Sequence, residues 1–520
     1  MKKIATALLS CALSAATLAG CAANGAQVPQ ESQEPHTAAL TATAAASVKS
    51  PKYVFLFIGD GMSYPQIQST SDYLGALKDA DYWQAQPSLD DNQGAILDGP
   101  EYLNFMNFEA AGSAVTYDSN SFAPDSASTA TSISTGHKTY SGSINVDETG
   151  TIEYETIAEQ LKAQKGWEIG VITSVNLNHA TPAAFYAHQA SRSSYYEIGL
   201  ELVESGFDYF AGGGLLKPTG SSGDQTDLYE LAQEAGYTVA KTHAEADAIG
   251  TNTEKAIIID EDLADSDAMA YELDRTDDMW ALADYVAKGI EVLDNDTGFF
   301  MMCEGGKIDW ACHANDAASS IHDTQALADA VQVAIDFAKE HADETLILVT
   351  GDHETGGLTI GFAGTDYDTY LDLLENQKIS FAKYDSDYVA SYKANKTPFG
   401  TVLADIEKLF GLKAQGEEGD KLVLTAYEME QLRAAYEKSI NGTASSQYDQ
   451  AEYVLYGTYE PLSVTITHII NNKSGISFTS YSHTGLPVAV LAEGAGSEMF
   501  NGYYDNTDIY NKLADLLNIA

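Results

Sequence analysis

Two short segments of the chain carry acidic residues and histidines at spacings that suit a metal ion. Asp309 and His313 are four residues apart, so one helical turn would place both side chains on the same face. A carboxylate and an imidazole on one face are ligands that zinc accepts, although a helix cap with a nearby surface histidine gives the same pattern. Asp352 and His353 offer a second such pair, where the alternation of an apolar strand ends.

A candidate nucleophile, Ser126, begins a run of small residues that predicts a helix as far as Ser134. Backbone N–H groups and the positive end of the helix dipole lie beside a side chain at that position, and both favour an attacking oxyanion and a bound phosphate. Asp125 and Ser126 are also favoured helix caps. The segment therefore predicts a nucleophile only in combination with the metal-binding residues elsewhere in the chain.

Buried strands and amphipathic helices alternate along the chain and would position these residues. Short apolar runs predict parallel strands at 53–58, 169–173, 298–303, 345–350 and 487–491. Apolar residues at three-to-four spacing predict helices at 156–165, 279–293, 317–341 and 507–517. We therefore predict an α/β fold, a three-layer sandwich with a mostly parallel central sheet flanked by helices. Asp60, Glu304 and Asp352 each follow a predicted strand, at the edge of the sheet where ligands of such folds bind.

The pattern changes in residues 361–481, which we call the cap segment. Helices are predicted there at 401–410 and 425–440, and the linkers between them are polar and contain Tyr and Gly. We predict that the cap segment is an inserted, largely helical, crown-like region. Residues 51–360 and 482–520 would then form the catalytic domain.

The N-terminal residues 1–20 predict a secretory signal of the lipoprotein type. Two lysines precede an apolar stretch that is too short to span a bilayer as a mature helix. The letters LAGC at 18–21 resemble a bacterial lipobox, which implies cleavage before Cys21 and acylation of its thiol; an ordinary signal peptide is the alternative. Residues 21–50 predict a flexible tether. The expected location is outside the cytoplasm, on a lipid anchor in a bacterial membrane, facing the periplasm or the cell surface.

The chain is strongly acidic, with 27 Lys and Arg against 76 Asp and Glu and a formal net charge of -49. Such a surface repels nucleic acid and anionic headgroups, so we expect no nucleic-acid partner. It also repels phosphate esters at long range, so a phosphate site must create a local positive field from metals or arginine. The four cysteines exclude a disulfide-rich scaffold. A bridge between Cys303 and Cys312 stays open, but Cys303 lies in an apolar run, and we expect a buried thiol there.

Four motifs together resemble those of the alkaline phosphatases. They are DSA at 125–127, EGGKIDWACH at 304–313, DHETGG at 352–357 and HTG at 483–485. The resemblance runs in order from residue 53 to the C-terminus and excludes the cap segment. It implies the hydrolysis of phosphate monoesters through a covalent phosphoserine intermediate at Ser126, with two Zn²⁺ and one Mg²⁺ per chain. It also raises a homodimer as an expectation, which the cap segment could either build or block.

The resemblance implies eight residues as ligands of these three ions. The first zinc would be bound by Asp309, His313 and His483, the second zinc by Asp60, Asp352 and His353, and the magnesium by Asp60, Thr181 and Glu304.

Other matched residues would lie beside the metals. Arg192 matches the arginine that binds the phosphate. Its planar guanidinium suits this role because it fits two non-bridging oxygens. Asp125, His179 and Trp310 would adjoin the ligands without binding metal. His179 and Trp310 stand where the best-known bacterial members carry Asp and Lys, which leaves open the identity of the third ion and the strength of product binding.

Two other functions compete with a phosphomonoesterase. A phosphodiesterase of the same superfamily would use a related two-metal site, although Arg192, Thr181 and Glu304 favour a dianionic monoester. A non-catalytic lipoprotein that binds metal or phosphate would have lost Ser126 or a zinc ligand, and the sequence retains them all. A sulfatase is excluded, because Ser126 is followed by Ala127 and not by the Pro and Arg that such enzymes require.

Overall fold

The computed structural model describes residues 49–79, 82, 96–442 and 445–519. The expectations for the signal at 1–20 and for most of the tether, including Cys21, lie outside the described residues. Within the described ranges, none of the helices combines the length and the apolar character that a membrane span requires.

Within these residues, the centre of the fold is a ten-stranded sheet, and four short strands form two small ladders. In chain order the strands are β1 (Tyr53–Gly59), β2 (Ala110–Val115), β3 (Glu168–Asn176), β4 (Tyr209–Gly213), β5 (Thr238–Ala240), β6 (Ala256–Ile259), β7 (Phe299–Gly305), β8 (Thr345–Gly351), β9 (Glu354–Thr355), β10 (Thr359–Ile360), β11 (Ile476–Ser477), β12 (His483–Thr484), β13 (Val488–Gly494) and β14 (Gly502–Asp505). The spatial order of the sheet is β14, β2, β13, β8, β1, β7, β3, β4, β6, β5.

The sheet is mostly parallel, as predicted, with one exception. β1, β3, β4, β5, β6, β7 and β8 pair in parallel with their neighbours in this group. β13 is antiparallel to both β8 and β2, so the prediction of a parallel strand at 487–491 is wrong in direction. An apolar run specifies burial on both faces but carries no information about strand direction, which depends on the route of the connecting chain.

The register of the central strands brings three predicted site residues to one edge. β1 lies between β7 and β8, and Gly59 at its end is paired with Gly305 and with Gly351. Asp60 and Asp352 are therefore the first residues after paired positions of β1 and β8. Glu304 precedes the paired position of β7 by one residue. This is the carboxyl edge, where ligands bind in open parallel sheets.

Helices cover both faces of the sheet, which confirms the predicted sandwich. They are α1 (Tyr64–Lys78), α2 (Ser126–Thr135), α3 (Ile157–Lys165), α4 (Ala180–Ala183), α5 (Tyr195–Ser205), α6 (Leu228–Glu234), α7 (His243–Asp247), α8 (Leu282–Leu293), α9 (Lys307–His313), α10 (Ala317–Glu340), α11 (Phe381–Tyr384), α12 (Ala390–Asn395), α13 (Phe399–Phe410), α14 (Ala426–Asn441), α15 (Gln450–Tyr456), α16 (Pro461–Ser474) and α17 (Thr507–Leu517). α8 begins at Leu282 and not at 279, because Asp284 accepts the N–H of Ala281 and fixes the first turn there.

Alternate side chains of β1 enter two separate cores. Val54, Leu56 and Ile58 pack with apolar residues of α2, α3 and α17. Tyr53, Phe55 and Phe57 pack on the other face with residues of α1, α8 and α10. Because each large apolar side chain contributes about 1.5–3 kcal/mol on full burial, the central strands are held firmly from both sides.

The cap segment is mainly helical in its described residues, with α11 to α16 and short 3₁₀ turns. Its apolar side chains share a core with Tyr73 of α1 and with Ala317 and Ile321 of α10. That it forms a separate inserted domain stays a prediction. Cys303 and Cys312 are buried free thiols, which agrees with the expectation for Cys303.

Asp316 fastens the start of the cap segment to the catalytic half of the chain. It caps α10 by accepting the N–H of Ser319 at 3.0 Å. The same fully buried carboxylate accepts Gln377 Nε2 at 2.8 Å and the N–H of Phe381 at 2.9 Å. One side chain therefore ties α10 to two positions of the cap segment.

We expect Asp316→Ala to lower the free energy of unfolding by about 3 kcal/mol, because it removes a helix cap and leaves buried donors without acceptors. The control is Asp227→Ala, which removes only the cap of α6 on Tyr229 and should cost about 1 kcal/mol. Urea unfolding curves measure both. Equal losses in the two variants would contradict the anchoring role of Asp316.

Candidate active site

Ser126 is the first residue of α2 and is buried. Asp125 caps the helix by accepting the N–H of Ser128, so the helix begins where the sequence predicts. Ser126 Oγ lies 3.2 Å from His353 Nε2 and 3.3 Å from Asp60 Oδ2. The serine hydroxyl thus combines the positive end of a helix with direct access to a carboxylate and an imidazole.

The first acid–imidazole cluster contains Asp309, His313 and His483, whose nearest ligand atoms lie within 4.8 Å of one another. Asp309 and His313 share one face of α9, as their spacing predicts, and His313 Nε2 is 3.3 Å from Asp309 Oδ2. His483 comes from β12, which pairs with β9 and so brings the C-terminal part of the chain to the site.

The second cluster contains Asp60, Asp352 and His353, again with ligand atoms within 4.8 Å of one another. His353 Nε2 is 3.4 Å from Asp60 Oδ1 and 3.3 Å from Asp352 Oδ2. Asp352 Oδ1 accepts the N–H groups of Gly61 at 3.1 Å and of His353 at 2.8 Å. These backbone bonds fix the carboxylate and leave its second oxygen directed at the cluster.

The residues expected at the magnesium site also lie together. Thr181 Oγ1, in α4, is 3.4 Å from Asp60 Oδ2. Glu304 is fully buried, and Thr173 Oγ1 donates to its Oε2. Glu304 Oε1 has no hydrogen-bond partner among the described residues, which is costly for a buried carboxylate oxygen unless a cation binds it.

Four buried carboxyl groups lie close together at the site and repel one another when ionised. Burial raises the pKa of Asp60 well above its usual range, and the charges of Asp352 and Asp309 raise it further. Burial likewise raises the pKa of Asp352 and that of Glu304 to about 7. Like charges at this density require compensation by protons or metal ions.

The imidazoles of the first cluster are oriented as metal ligands are. His313 Nδ1 lies 2.6 Å from the carbonyl oxygen of Tyr481, and His483 Nδ1 lies 2.6 Å from that of Pro124. A carbonyl can only accept, so each Nδ1 carries the proton, and the two Nε2 atoms face each other at 3.1 Å. Two facing lone pairs repel, so a proton or a metal ion must lie between them. The donor set therefore fits a divalent metal such as zinc.

Arg192, which the sequence predicts to bind phosphate, lines the cleft beside Ser126. Its Nη1 donates to Asp125 Oδ2 at 2.9 Å, and its Nη2 is 3.4 Å from His179 Nε2. Burial opposes ionisation of Asp125, but Arg192 holds its pKa below the usual range. Burial and the charge of Arg192 lower the pKa of His179 to about 3, so this imidazole is neutral. Trp310 packs edge-on against His179, with ring centroids 5.8 Å apart.

Several supporting residues received no role from the sequence. Thr355 Oγ1 donates to Asp309 Oδ1 and lies 3.3 Å from His353 Nδ1, so it links the two clusters. Thr129 Oγ1 donates to Asp352 Oδ2 at 3.2 Å. Thr355 lies within the DHETGG motif, so the sequence could have identified it as a site residue. Nothing in their local sequence distinguishes Thr129 or Thr173 from other buried threonines.

A serine at a helix N-terminus, beside two acid–imidazole clusters and an arginine, defines a metal-dependent hydrolase of phosphate esters. The family model of alkaline phosphatase matches residues 51–519. Alkaline phosphatase 4 of Bacillus subtilis is 30% identical over 473 residues, which cover 89% of this chain and 88% of that protein. The chain belongs to the alkaline phosphatase family, and its activity is that of a metal-dependent phosphomonoesterase.

Solved structures agree with this assignment. The cold-active alkaline phosphatase of the psychrophile Shewanella sp. superposes with a TM-score of 0.69 at 28% identity, over 89% of this chain and 99% of that one. A mutant of the alkaline phosphatase of the Antarctic bacterium TAB5, with Mg bound in its M3 site, superposes with a TM-score of 0.60 at 26% identity, over 91% of this chain and 99% of that one.

His188, four residues before Arg192, is half-buried between the carboxylates of Glu159 and Glu201. Its Nε2 is 3.4 Å from Glu159 Oε2 and its Nδ1 is 3.6 Å from Glu201 Oε2. Burial alone would lower the pKa of His188, but the two carboxylates raise it to about 10. Protonated His188 therefore stabilises the folded state.

We expect His188→Gln to lower the free energy of unfolding by about 1–2 kcal/mol at pH 6. Because the folded pKa lies above the unfolded value of about 6.5, this contribution is complete below pH ~6.5 and is lost as the pH rises through about 10. Denaturant unfolding across this range measures the difference from wild type. His468→Gln is the control: burial lowers the pKa of His468 to about 4, so above about pH 7.5 its imidazole is neutral in both states and its effect should be constant up to pH ~10.

Proposed function

We propose that this alkaline phosphatase hydrolyses phosphate monoesters with Ser126 as its nucleophile and Arg192 as its phosphate-binding residue. The observation that carries the proposal is the position of Ser126 Oγ, within 3.4 Å of both His353 and Asp60 at the N-terminus of α2. A serine hydroxyl is otherwise a poor nucleophile near neutral pH.

The proposed metal ligands are the residues of the two clusters, together with Thr181 and the buried Glu304. Asp309, His313 and His483 would bind one zinc ion, and Asp60, Asp352 and His353 a second. Asp60, Thr181 and Glu304 would bind magnesium, and the TAB5 mutant with Mg in its M3 site supports this choice. When bound, the zinc pair would supply Lewis-acid activation of the serine oxygen, of the leaving oxygen and of water.

The side chains of the protein perform the remaining work. Ser126 Oγ forms a bond to phosphorus while the ester oxygen leaves, and water then breaks the bond between Ser126 and the phosphoryl group. The N-terminal N–H groups of α2 and the guanidinium of Arg192 stabilise the charge that spreads over the non-bridging oxygens. Asp125 holds Arg192 in place through the 2.9 Å contact.

Location and assembly are further parts of the proposal. The signal-like residues 1–20 and the lipobox-like letters at 18–21 favour export and a lipid anchor at Cys21. The homodimer that the family resemblance implies stays a prediction, as does a role for the cap segment in forming it.

We expect the purified protein, supplied with zinc and magnesium, to hydrolyse p-nitrophenyl phosphate at least tenfold faster than bis(p-nitrophenyl) phosphate. The reason is that Arg192 and the proposed magnesium ion, held by Thr181 and Glu304, suit the doubly charged terminal phosphate of a monoester. Release of p-nitrophenol measures both rates, and a chelator followed by zinc should abolish and restore activity. Faster turnover of the diester would favour the phosphodiesterase alternative.

We expect Ser126→Ala to abolish the covalent phosphoenzyme and to lower kcat/KM by roughly a thousandfold or more, because the bond-forming oxygen is lost. Rapid denaturation after mixing with a labelled monoester detects the phosphoprotein. Ser193→Ala, at an exposed serine beside Arg192, is the matched control and should retain the label. Normal labelling of the Ser126 variant would assign the nucleophile elsewhere.

A further inference from the structure

The cleft that contains the nucleophilic serine is larger than a phosphate group requires. Its volume is about 570 Å³, which is within the range of pockets that hold a whole small molecule. Beyond the residues assigned to phosphate and metal, its lining consists of His179, Trp310, Phe381, Tyr459, Asp265 and Ser266. Because the phosphate end of an ester is fixed at the serine, the leaving group must occupy this remaining part.

Three of these residues, Trp310, Phe381 and Tyr459, form what we call the aromatic wall. Phe381 and Tyr459 pack edge to face, with ring centroids 5.8 Å apart and planes at 81°. Phe381 belongs to α11, and Tyr459 lies between α15 and α16, so two of the three rings come from the cap segment. Residues far apart in sequence thus converge on one side of the cleft.

The wall is fixed in place before any ligand binds. Trp310 packs against His179 on one side, and Lys307 Nζ lies 4.7 Å from its ring centroid on another. The N–H of Phe381 donates to the buried carboxylate of Asp316 at 2.9 Å. Rings that are already ordered lose little entropy when a planar group stacks on them.

Asp265 adds a negative charge to the same part of the cleft. It belongs to a turn in which Ser266 and Asp267 adopt positive φ angles of 56° and 60°. Asn176 Nδ2 holds this turn by donating to the carbonyl oxygens of Ser266 at 3.0 Å and Asp267 at 3.2 Å. The turn therefore keeps Asp265 at the cleft.

The buried Lys307 does not cancel this charge. Its ammonium group lies 3.8 Å from the ring centroid of Tyr271, and it has no hydrogen-bond acceptor among the described residues. Asp265 is one of three carboxyl groups, with Asp274 and Asp323, that act on Lys307, so the lysine is not a dedicated partner of Asp265. An anionic leaving group that lies beside Asp265 would be repelled by its carboxylate.

We infer that the aromatic wall and Asp265 form a leaving-group subsite that selects monoesters of planar, uncharged aromatic alcohols over esters whose leaving groups are anionic. This inference rests on the proposed phosphomonoesterase site and adds the class of substrate to it. The rings supply stacking surface for a planar group, and the carboxylate discriminates by charge.

Two pairs of substrates separate these two contributions. Phenyl phosphate and cyclohexyl phosphate differ in the planarity of a six-membered ring, and phenyl phosphate and 4-carboxyphenyl phosphate differ by one negative charge. Intrinsic reactivity differs within each pair, but this difference is the same for every variant. We therefore compare the ratio of the two kcat/KM values between variants, so that the difference in reactivity cancels.

Tyr459→Ala should lower the ratio for phenyl over cyclohexyl phosphate about fivefold, and Tyr459→Phe should restore it, because the ring stacks and not the hydroxyl. Tyr453→Ala, at an exposed tyrosine of α15, is the control and should leave the ratio unchanged. Inhibition by phenylphosphonate, which undergoes no turnover, should weaken in Tyr459→Ala relative to inhibition by methylphosphonate.

Asp265→Asn should reduce the preference for phenyl over 4-carboxyphenyl phosphate about threefold, because it removes one repulsive charge. Ratios that match the Tyr453 control in the Tyr459 and Asp265 variants, with hydrolysis intact, would overturn the subsite and leave the phosphatase assignment standing. Absence of hydrolysis of every ester by the wild-type protein would overturn both.

Discussion

The structure depends on the confinement of several negative charges at the carboxyl edge of the sheet. Asp60, Glu304 and Asp352 are fully buried, and each would be expensive to ionise alone in that environment. Their positions are set by β1, β7 and β8, whose apolar side chains are packed on both faces. The rigid sheet keeps the carboxylates together despite their repulsion, so the site is organised to take up cations.

The surroundings of these carboxylates explain how such a site stays specific. The net charge of the chain opposes the approach of phosphate, yet Arg192, the N-terminus of α2 and the proposed metal ions concentrate positive charge at one point. Backbone carbonyls orient His313 and His483. Threonine hydroxyls donate hydrogen bonds to the carboxylates, as Thr355 does to Asp309. Affinity for the phosphate group is therefore local, and the wider cleft is free to discriminate among the alcohols attached to it.

The sequence predicted local features well and long-range ones less well. The apolar run before Asp60 and the spacing of Asp309 and His313 identified a strand and a helical turn, because both depend on neighbouring residues. The direction of β13 was missed, since it depends on how the chain returns from the cap segment. The buried Lys307 and the supporting role of Thr173 were also missed, because their partners are distant in sequence.

The place of β13 within the sheet has a consequence for how the molecule is assembled. This strand is synthesised well after β2 and β8, yet it lies between them in the sheet. Until residues 488–494 emerge, the flanking edges of both strands present unpaired backbone groups in the interior of the fold. The unpaired edges of β2 and β8 therefore expose a nascent chain to misfolding and aggregation. A product truncated before β13 would keep these unpaired edges permanently.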